Sequence, residues 1–151
     1  MEDKPVFAYA QPEESTGYLL WQVTMGWHLR MNQHLRPVGL TLTQFSLLAG
    51  LYWLRRQGET VTQQRLADYA HTDRMMTSKV LQTLEQKGLV ERRSHPQDAR
   101  AKQLHLTEAG EHLLRQAHAV MEGADAQFFG PLQAEAGLFN QLLARLLNQR
   151  L

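Results

Sequence analysis

The chain contains no cysteine. That absence removes disulfides, thiolate zinc sites and thiol redox chemistry together. No apolar run approaches the ~18 residues of a membrane-spanning helix, so no membrane partner is expected. The opening Met1-Glu2-Asp3-Lys4-Pro5 lacks the basic-then-apolar order of a secretory signal, and a cytoplasmic location fits. There is no G-x-S-x-G elbow, no Walker loop and no Cys nucleophile. Scattered Ser, His and Asp are too common to argue from, so neither catalysis nor a cofactor is expected. Histidines are present, but His28 and His34, like His112 and His118, stand six apart. One helical face needs three or four, and no H-E-x-x-H appears. No metal ligand is assigned; a site assembled across helices, as in a metal-sensing protein, stays as an alternative.

Charge of one sign is also scarce, the net value being +1. Its distribution carries more. Between Arg55 and Lys102 lie ten basic and six acidic residues, a surplus of +4 that leaves the remainder at −3. A positive middle is where phosphates would be met.

What is present is an ordinary globular composition, 43% hydrophobic over 151 residues. One domain, 1–151, is expected, with a core large enough to be stable. Pro12-Glu13-Glu14-Ser15 reads as a helix start, acidic residues facing the positive dipole end. That helix runs to about Arg36, with Leu20, Val23, Trp27 and Met31 at helical spacing, and Pro37-Val38-Gly39 breaks it. Thr41 with Gln44 forms a T-x-x-Q capping box. The helix it opens carries Phe45, Leu48, Leu51, Tyr52 and Trp53 and stops at Gly58. Late in the chain, Thr107 caps a long helix bearing Leu113, Leu114, Ala117, Val120, Met121, Ala124 and Phe128. Gly130-Pro131 interrupts, and a final helix of about Leu132–Gln149 carries Phe139, Leu142, Leu143, Leu146 and Leu147. This Leu-rich end is too short and apolar to be stable alone. With the first helix it needs a partner surface, and a second copy of the chain is the economical one.

The organising stretch is Thr62–Leu106. Thr62 caps a short helix, Gln63–His71, and Thr72 or Asp73 opens a second, with Thr72 a natural N-cap. The inward residues of the second are Met76, Val80, Leu81 and Leu84, and Lys87-Gly88 ends it. Leu89–Arg93 and Lys102–Leu106 read as strands around a polar, turn-prone loop from Ser94 to Ala101. Helix, turn, helix, strand, loop, strand is a winged helix-turn-helix, whose second helix suits the major groove of DNA. The fold class is therefore mainly α with a small β-wing, residues 40–106 forming the DNA-binding part and 12–36 and 107–151 the dimerisation helices.

Four motifs stand in order. They are Leu40-Thr41-Leu42-Thr43-Gln44-Phe45; Asp73 with Ser78-Lys79, Leu84 and Gly88-Leu89-Val90-Glu91-Arg92; Asp98-Ala99-Arg100; and Leu106-Thr107-Glu108-Ala109-Gly110. Together they resemble the MarR family of bacterial transcriptional regulators. The resemblance implies a dimer whose terminal helices interlace, with two winged helices below. It also implies a nucleoid-associated regulator.

Away from its apolar face the second short helix presents Arg74, Thr77, Ser78, Lys79 and Gln82. Arg and Gln can pair bidentately with guanine and adenine edges, and Thr and Ser suit phosphates or bases. The bland alternative is a solvated helix face; the preceding helix-turn and following wing favour DNA. Arg100, near the wing tip, can enter a narrow A·T-rich minor groove, and Asp98 can hold the wing's shape. The resemblance makes these the family's minor-groove arginine and its bracing carboxylate; the alternative is a weak surface ion pair. Arg93 and Lys102 are phosphate contacts or plain solvated charges.

Trp27, His28, Met31, Tyr52 and Trp53 are either core or the lining of a pocket for a small apolar ligand. The resemblance favours the pocket, because many relatives bind phenolic or aromatic carboxylate compounds between dimer helices and winged helix. The function expected is a homodimeric repressor released from a pseudo-palindromic double-stranded operator by such a ligand. The alternatives are a metal-sensing regulator of the same fold and a winged helix used for protein contact or DNA architecture. Arg100→Ala should weaken binding most at operators with A·T-rich flanks, where groove width is the feature read. Titrations against flank-varied operators check this, and equal binding by variant and wild type removes the wing's role.

Overall fold

The computed structural model describes residues 6–94 and 102–149. Among the described residues six α-helices run in the order α1 (Thr16–Leu35), α2 (Leu42–Arg56), α3 (Gln63–Ala70), α4 (Arg74–Gln86), α5 (Glu108–Phe129) and α6 (Ala136–Leu147). Strands β1 (Val90–Ser94) and β2 (Lys102–Leu106) lie between α4 and α5 and pair antiparallel, Val90 opposite Leu106 and Ser94 opposite Lys102. The fold is mainly helical with a small β-wing.

The first helix opens later than its acidic residues suggest. Pro12–Glu14 make a separate 3₁₀ turn, and Ser15 caps α1 by accepting the Tyr18 N–H at 3.2 Å. The second helix follows its capping box closely. The Gln44 N–H donates to Thr41 Oγ1 at 3.2 Å, and the Thr41 N–H donates to Gln44 Oε1 at 3.0 Å. Asn32 of α1 accepts the adjacent Leu42 N–H at 2.9 Å, which fixes the angle between α1 and α2. α2 is the spine of the core: Leu42, Leu47, Leu48, Leu51 and Leu54 are all buried. Val61, Leu66, Leu81, Leu84 and Leu104 close around it from the winged helix. The Leu104 N–H also donates to Val61 O at 2.8 Å, tying β2 to the segment ahead of α3.

The helix-turn-helix has two corrections to its expected detail. Asp73, rather than Thr72, is the N-cap of α4, accepting the Met75 and Met76 N–H groups at 2.9 and 3.0 Å. Thr72 instead contacts the Thr77 hydroxyl at 2.7 Å. The inward face of α4 is Thr77, Leu81 and Leu84, and Met76 is 43% exposed. Leu81 and Leu84 set the phase of the buried stripe, and Thr77 lies four and seven residues before them. The apolar pattern pointed to Met76 only because Thr77 is polar.

α5 is held at its first turn by an unusually close contact. Thr107 accepts the Gly110 N–H at 3.0 Å and donates its hydroxyl to Gly88 O at 2.6 Å, while its N–H donates to Leu89 O at 3.1 Å. A Cβ on Gly110 would stand 2.0 Å from Leu89 O. The Thr107-Glu108-Ala109-Gly110 motif thus exists to seat α5 on the turn between α4 and β1. Beyond α5, the interruption at Gly130-Pro131 extends through Glu135, and Gln133 adopts a left-handed φ of 45°. The last helix therefore begins at Ala136 rather than Leu132.

Gly110→Ala should cost ~2–3 kcal/mol, because the obstacle is backbone and cannot rotate away. Gly123→Ala, with nothing within 4 Å of its added Cβ, should gain about 0.5–1 kcal/mol from helix propensity. Urea denaturation of the two variants checks both signs.

Candidate nucleic-acid interface

The outward face of α4 carries Arg74, Ser78, Lys79 and Gln82, all exposed. Its position is fixed from three sides. Asp73 pins the first turn; Leu81 and Leu84 anchor the inner face. Arg92 of β1 reaches back to Glu85 at 2.9 Å, and Lys87 Nζ donates to Gly39 O at 2.9 Å. The four outward side chains are thus mounted on a helix whose packing leaves little freedom, a condition that direct readout of bases requires.

Thr77, expected on this outward face, is fully buried. Its hydroxyl donates to Asp73 O at 2.8 Å. A hydroxyl has one proton, so Thr72 must be the donor in the 2.7 Å contact with Thr77. Thr77 holds the turn between α3 and α4 and is not a DNA contact. On the wing, Arg93 is exposed and pairs with Glu91, and Lys102 is exposed beside Ser94. Asp98 and Arg100 lie outside the described residues. Nearby, Arg55 Nη1 lies 3.4 Å from His105 Nε2. Burial, and then the positive charges of Arg55 and Arg93 acting against Glu91, hold the His105 imidazole below its usual range.

The aromatic residues do not converge as expected. Met31 is fully buried in the core. Trp27 turns to α5, its Nε1–H donating to Asp125 Oδ1 at 2.7 Å, and His28 is exposed at the edge of the Trp27 ring. Tyr52 and Trp53 instead line a cavity of about 240 Å³ between α2 and α5, with Phe45, Leu114, Arg115 and His118. His118 and Asp125 are seven residues apart on α5, ~10 Å along its axis. Trp27 and the Tyr52–Trp53 pair therefore meet α5 at different levels. Arg115 and His118 come from α5, far along the chain from Tyr52 and Trp53, and no pattern local to α2 points to them. Among the described residues no three His, Asp or Glu side chains are grouped to hold a metal ion, and no helix is long and apolar enough to cross a membrane.

A helix-turn-helix with its second helix turned outward, backed by a two-stranded wing, defines a winged-helix DNA-binding protein. The model of the MarR family matches residues 40–102, the segment that carries the helix-turn-helix and wing. The chain is 41% identical over 121 residues to the HTH-type transcriptional regulator YdcH of Bacillus subtilis, covering 80% of this chain and 82% of that one. It is 31% identical over 131 residues to the HTH-type transcriptional repressor Rv2887 of Mycobacterium tuberculosis, covering 86% and 91%. Its structure matches that of CouR from Rhodococcus jostii RHA1 bound to p-coumaroyl-CoA with a TM-score of 0.78 and 28% identity, over 91% of this chain and 93% of that one. The chain belongs to the MarR family, and is a DNA-binding transcriptional regulator rather than an enzyme.

Thr77→Val should lower stability by about 1 kcal/mol or more through its lost hydrogen bonds, with operator preference unchanged. Thermal melts and a binding titration separate this from a DNA-contact role, which predicts the opposite pattern.

Proposed function

We propose that the protein is a homodimeric repressor that binds a pseudo-palindromic operator through two copies of α4 and is released by a small aromatic or phenolic effector. The observation that carries the dimer is the apolar face that α1 and α6 leave uncovered. Leu19, Leu20 and Val23 of α1 are 44, 50 and 44% exposed, and Leu142, Leu143 and Leu146 of α6 are 43, 37 and 53% exposed. Together they border a groove of about 800 Å³. α6 buries no residue at all within its own chain. A helix of 12 residues is marginal in water without tertiary packing, so a second chain is the natural occupant.

In this reading Arg74 and Gln82 read base edges, and Ser78 and Lys79 contact phosphates or bases. Arg93 and Lys102 hold the backbone, Arg100 enters the minor groove and Asp98 braces the wing. The half-site centres then lie about one helical turn, ~10 bp, apart or at a multiple of it. The repressor assignment is supported by likeness to a relative that carries that name, and the cytoplasm is the compartment where such an operator is met.

The effector site assigned is the cavity bordered by Tyr52 and Trp53 rather than the Trp27–His28 end of α1. In the proposed site a planar ring lies against the Tyr52 and Trp53 rings, which meet edge to face. A carboxylate or phenolate pairs with His118 or competes with Glu111, 2.8 Å from Arg115, for that guanidinium. The neighbour bound to p-coumaroyl-CoA supports an aromatic class. Release follows from population shift: a ligand that prefers a conformation with wrongly spaced α4 helices draws the dimer off DNA, which takes about 5 kcal/mol of differential affinity.

Leu143→Asp should give monomer or unfolded chain and abolish operator binding. Gln82→Ala should leave a dimer that loses ~1–3 kcal/mol at one operator position. Sedimentation and titration on an operator selected from random DNA check both. A stable dimer of Leu143→Asp that still binds operator rules out the proposed interface.

A further inference from the structure

The first turn of α4 places two methionines after Arg74, apolar side chains on a helix end that is ordinarily polar in DNA-reading proteins. Met75 is 75% exposed, and Met76 beside it is 43% exposed. Met75, Lys79, Gln82 and Gln86 succeed one another at steps of four, three and four, one stripe of a helix, and all four are exposed. That stripe lies opposite the buried line of Thr77, Leu81 and Leu84. Met75 is therefore the leading residue of the outermost face, at the end of the recognition helix that reaches base edges in helix-turn-helix proteins.

The tip is poorly suited to a phosphate. Its N–H groups are already engaged: those of Met75 and Met76 donate to Asp73 Oδ1, and that of Thr77 donates to Asp73 O at 2.8 Å. Asp73 also sets a carboxylate there, which repels a phosphate oxygen. Beside the Arg74 guanidinium, what this turn offers DNA is two thioether side chains, which carry no donor and only a weak acceptor. In the major groove only thymine offers an apolar group, its 5-methyl. A methionine side chain is flexible enough to fit itself against a methyl at slightly varying depth.

We propose that Met75, with Met76 beside it, is a specificity-determining residue that selects thymine by burying its 5-methyl group at one position of each half-site. The proposal rests on the reading of α4 as the recognition helix and adds to the polar readers Arg74 and Gln82 a contact of different chemistry. Burying one methyl-sized group is worth about fourfold in affinity, and a dimer makes the contact twice.

Replacing thymine by deoxyuridine removes the methyl and leaves the pairing and every hydrogen-bonding edge intact. The test scans the selected operator with symmetric deoxyuridine pairs, one position at a time, by fluorescence anisotropy. Wild type, Met75→Ala, Met76→Ala and Gln82→Ala proteins, each shown folded by its melt, are compared. Selective binding of the unmodified operator by wild type tests the regulator reading separately. At one symmetric position deoxyuridine, which removes both copies of the contact, should weaken wild-type binding about tenfold to twentyfold. Met75→Ala should show a similar loss on the unmodified operator and no further loss with deoxyuridine there, whereas Gln82→Ala keeps the penalty. No thymine position sensitive to deoxyuridine in wild type overturns the proposal. So does a penalty that survives unchanged in both methionine variants.

Discussion

A backbone contact with no room for a Cβ joins the winged helix to the long helix that follows it: the first turn of α5 seated against the Gly88–Leu89 turn. With no Cβ on Gly110, the α5 backbone comes down onto the Leu89 carbonyl, and Thr107 binds that turn through both its N–H and its hydroxyl. Backbone contacts of this kind do not yield as side chains do, so α5 and the α4–β1 turn move together. α5 then passes alongside α2 at Leu114 and reaches α1 through the Trp27–Asp125 hydrogen bond. The recognition helix is thereby geared to the helix that carries the exposed apolar face. A small rotation at either end has few places to be absorbed.

How much of this could be read in the residues depended on the range of the interactions. The capping box at Thr41 and Gln44, the Thr62 and Thr107 caps and the glycine stop at Gly88 are local chemistry, and each sits where its sequence places it. The strand pair was equally legible, with β1 displaced by a single residue at its start. Among the motifs that carry the resemblance to MarR proteins, Thr107-Glu108-Ala109-Gly110 has its physical reason in the seat of α5, whereas Asp98-Ala99-Arg100 lies outside the described residues. The inner face of α4 was harder, because a polar residue, Thr77, fills a core position by spending its hydroxyl on Asp73 O and Thr72. A hydrophobicity pattern cannot see a buried hydroxyl that is already satisfied.

The aromatic residues failed for a different reason. Trp27 and Asp125 are 98 positions apart, and nothing local to either one announces the other. Met31, at helical spacing from its neighbours, suits a core by its pattern and a pocket wall by the family resemblance, and it is fully buried in the core. The cavity at Tyr52 and Trp53 needed α5 for its opposite wall. Periodicity along one helix says which side is apolar; it does not say which helix covers that side.

Under the proposed function, this arrangement would let an effector in a site remote from DNA act on operator binding. The cavity lies between α2, whose leucines anchor the winged helix, and α5, whose N-terminal turn is locked to the end of α4. A ligand that pushes α2 and α5 apart cannot be accommodated at the Gly110 contact, where there is no spare volume. In the proposed mechanism that displacement is a rotation of the winged helix relative to α1 and α6. In a dimer held by α1 and α6, that rotation changes the distance between the two copies of α4. An operator with half-sites at a fixed helical spacing then rejects the altered dimer without any change in the groups that read its bases.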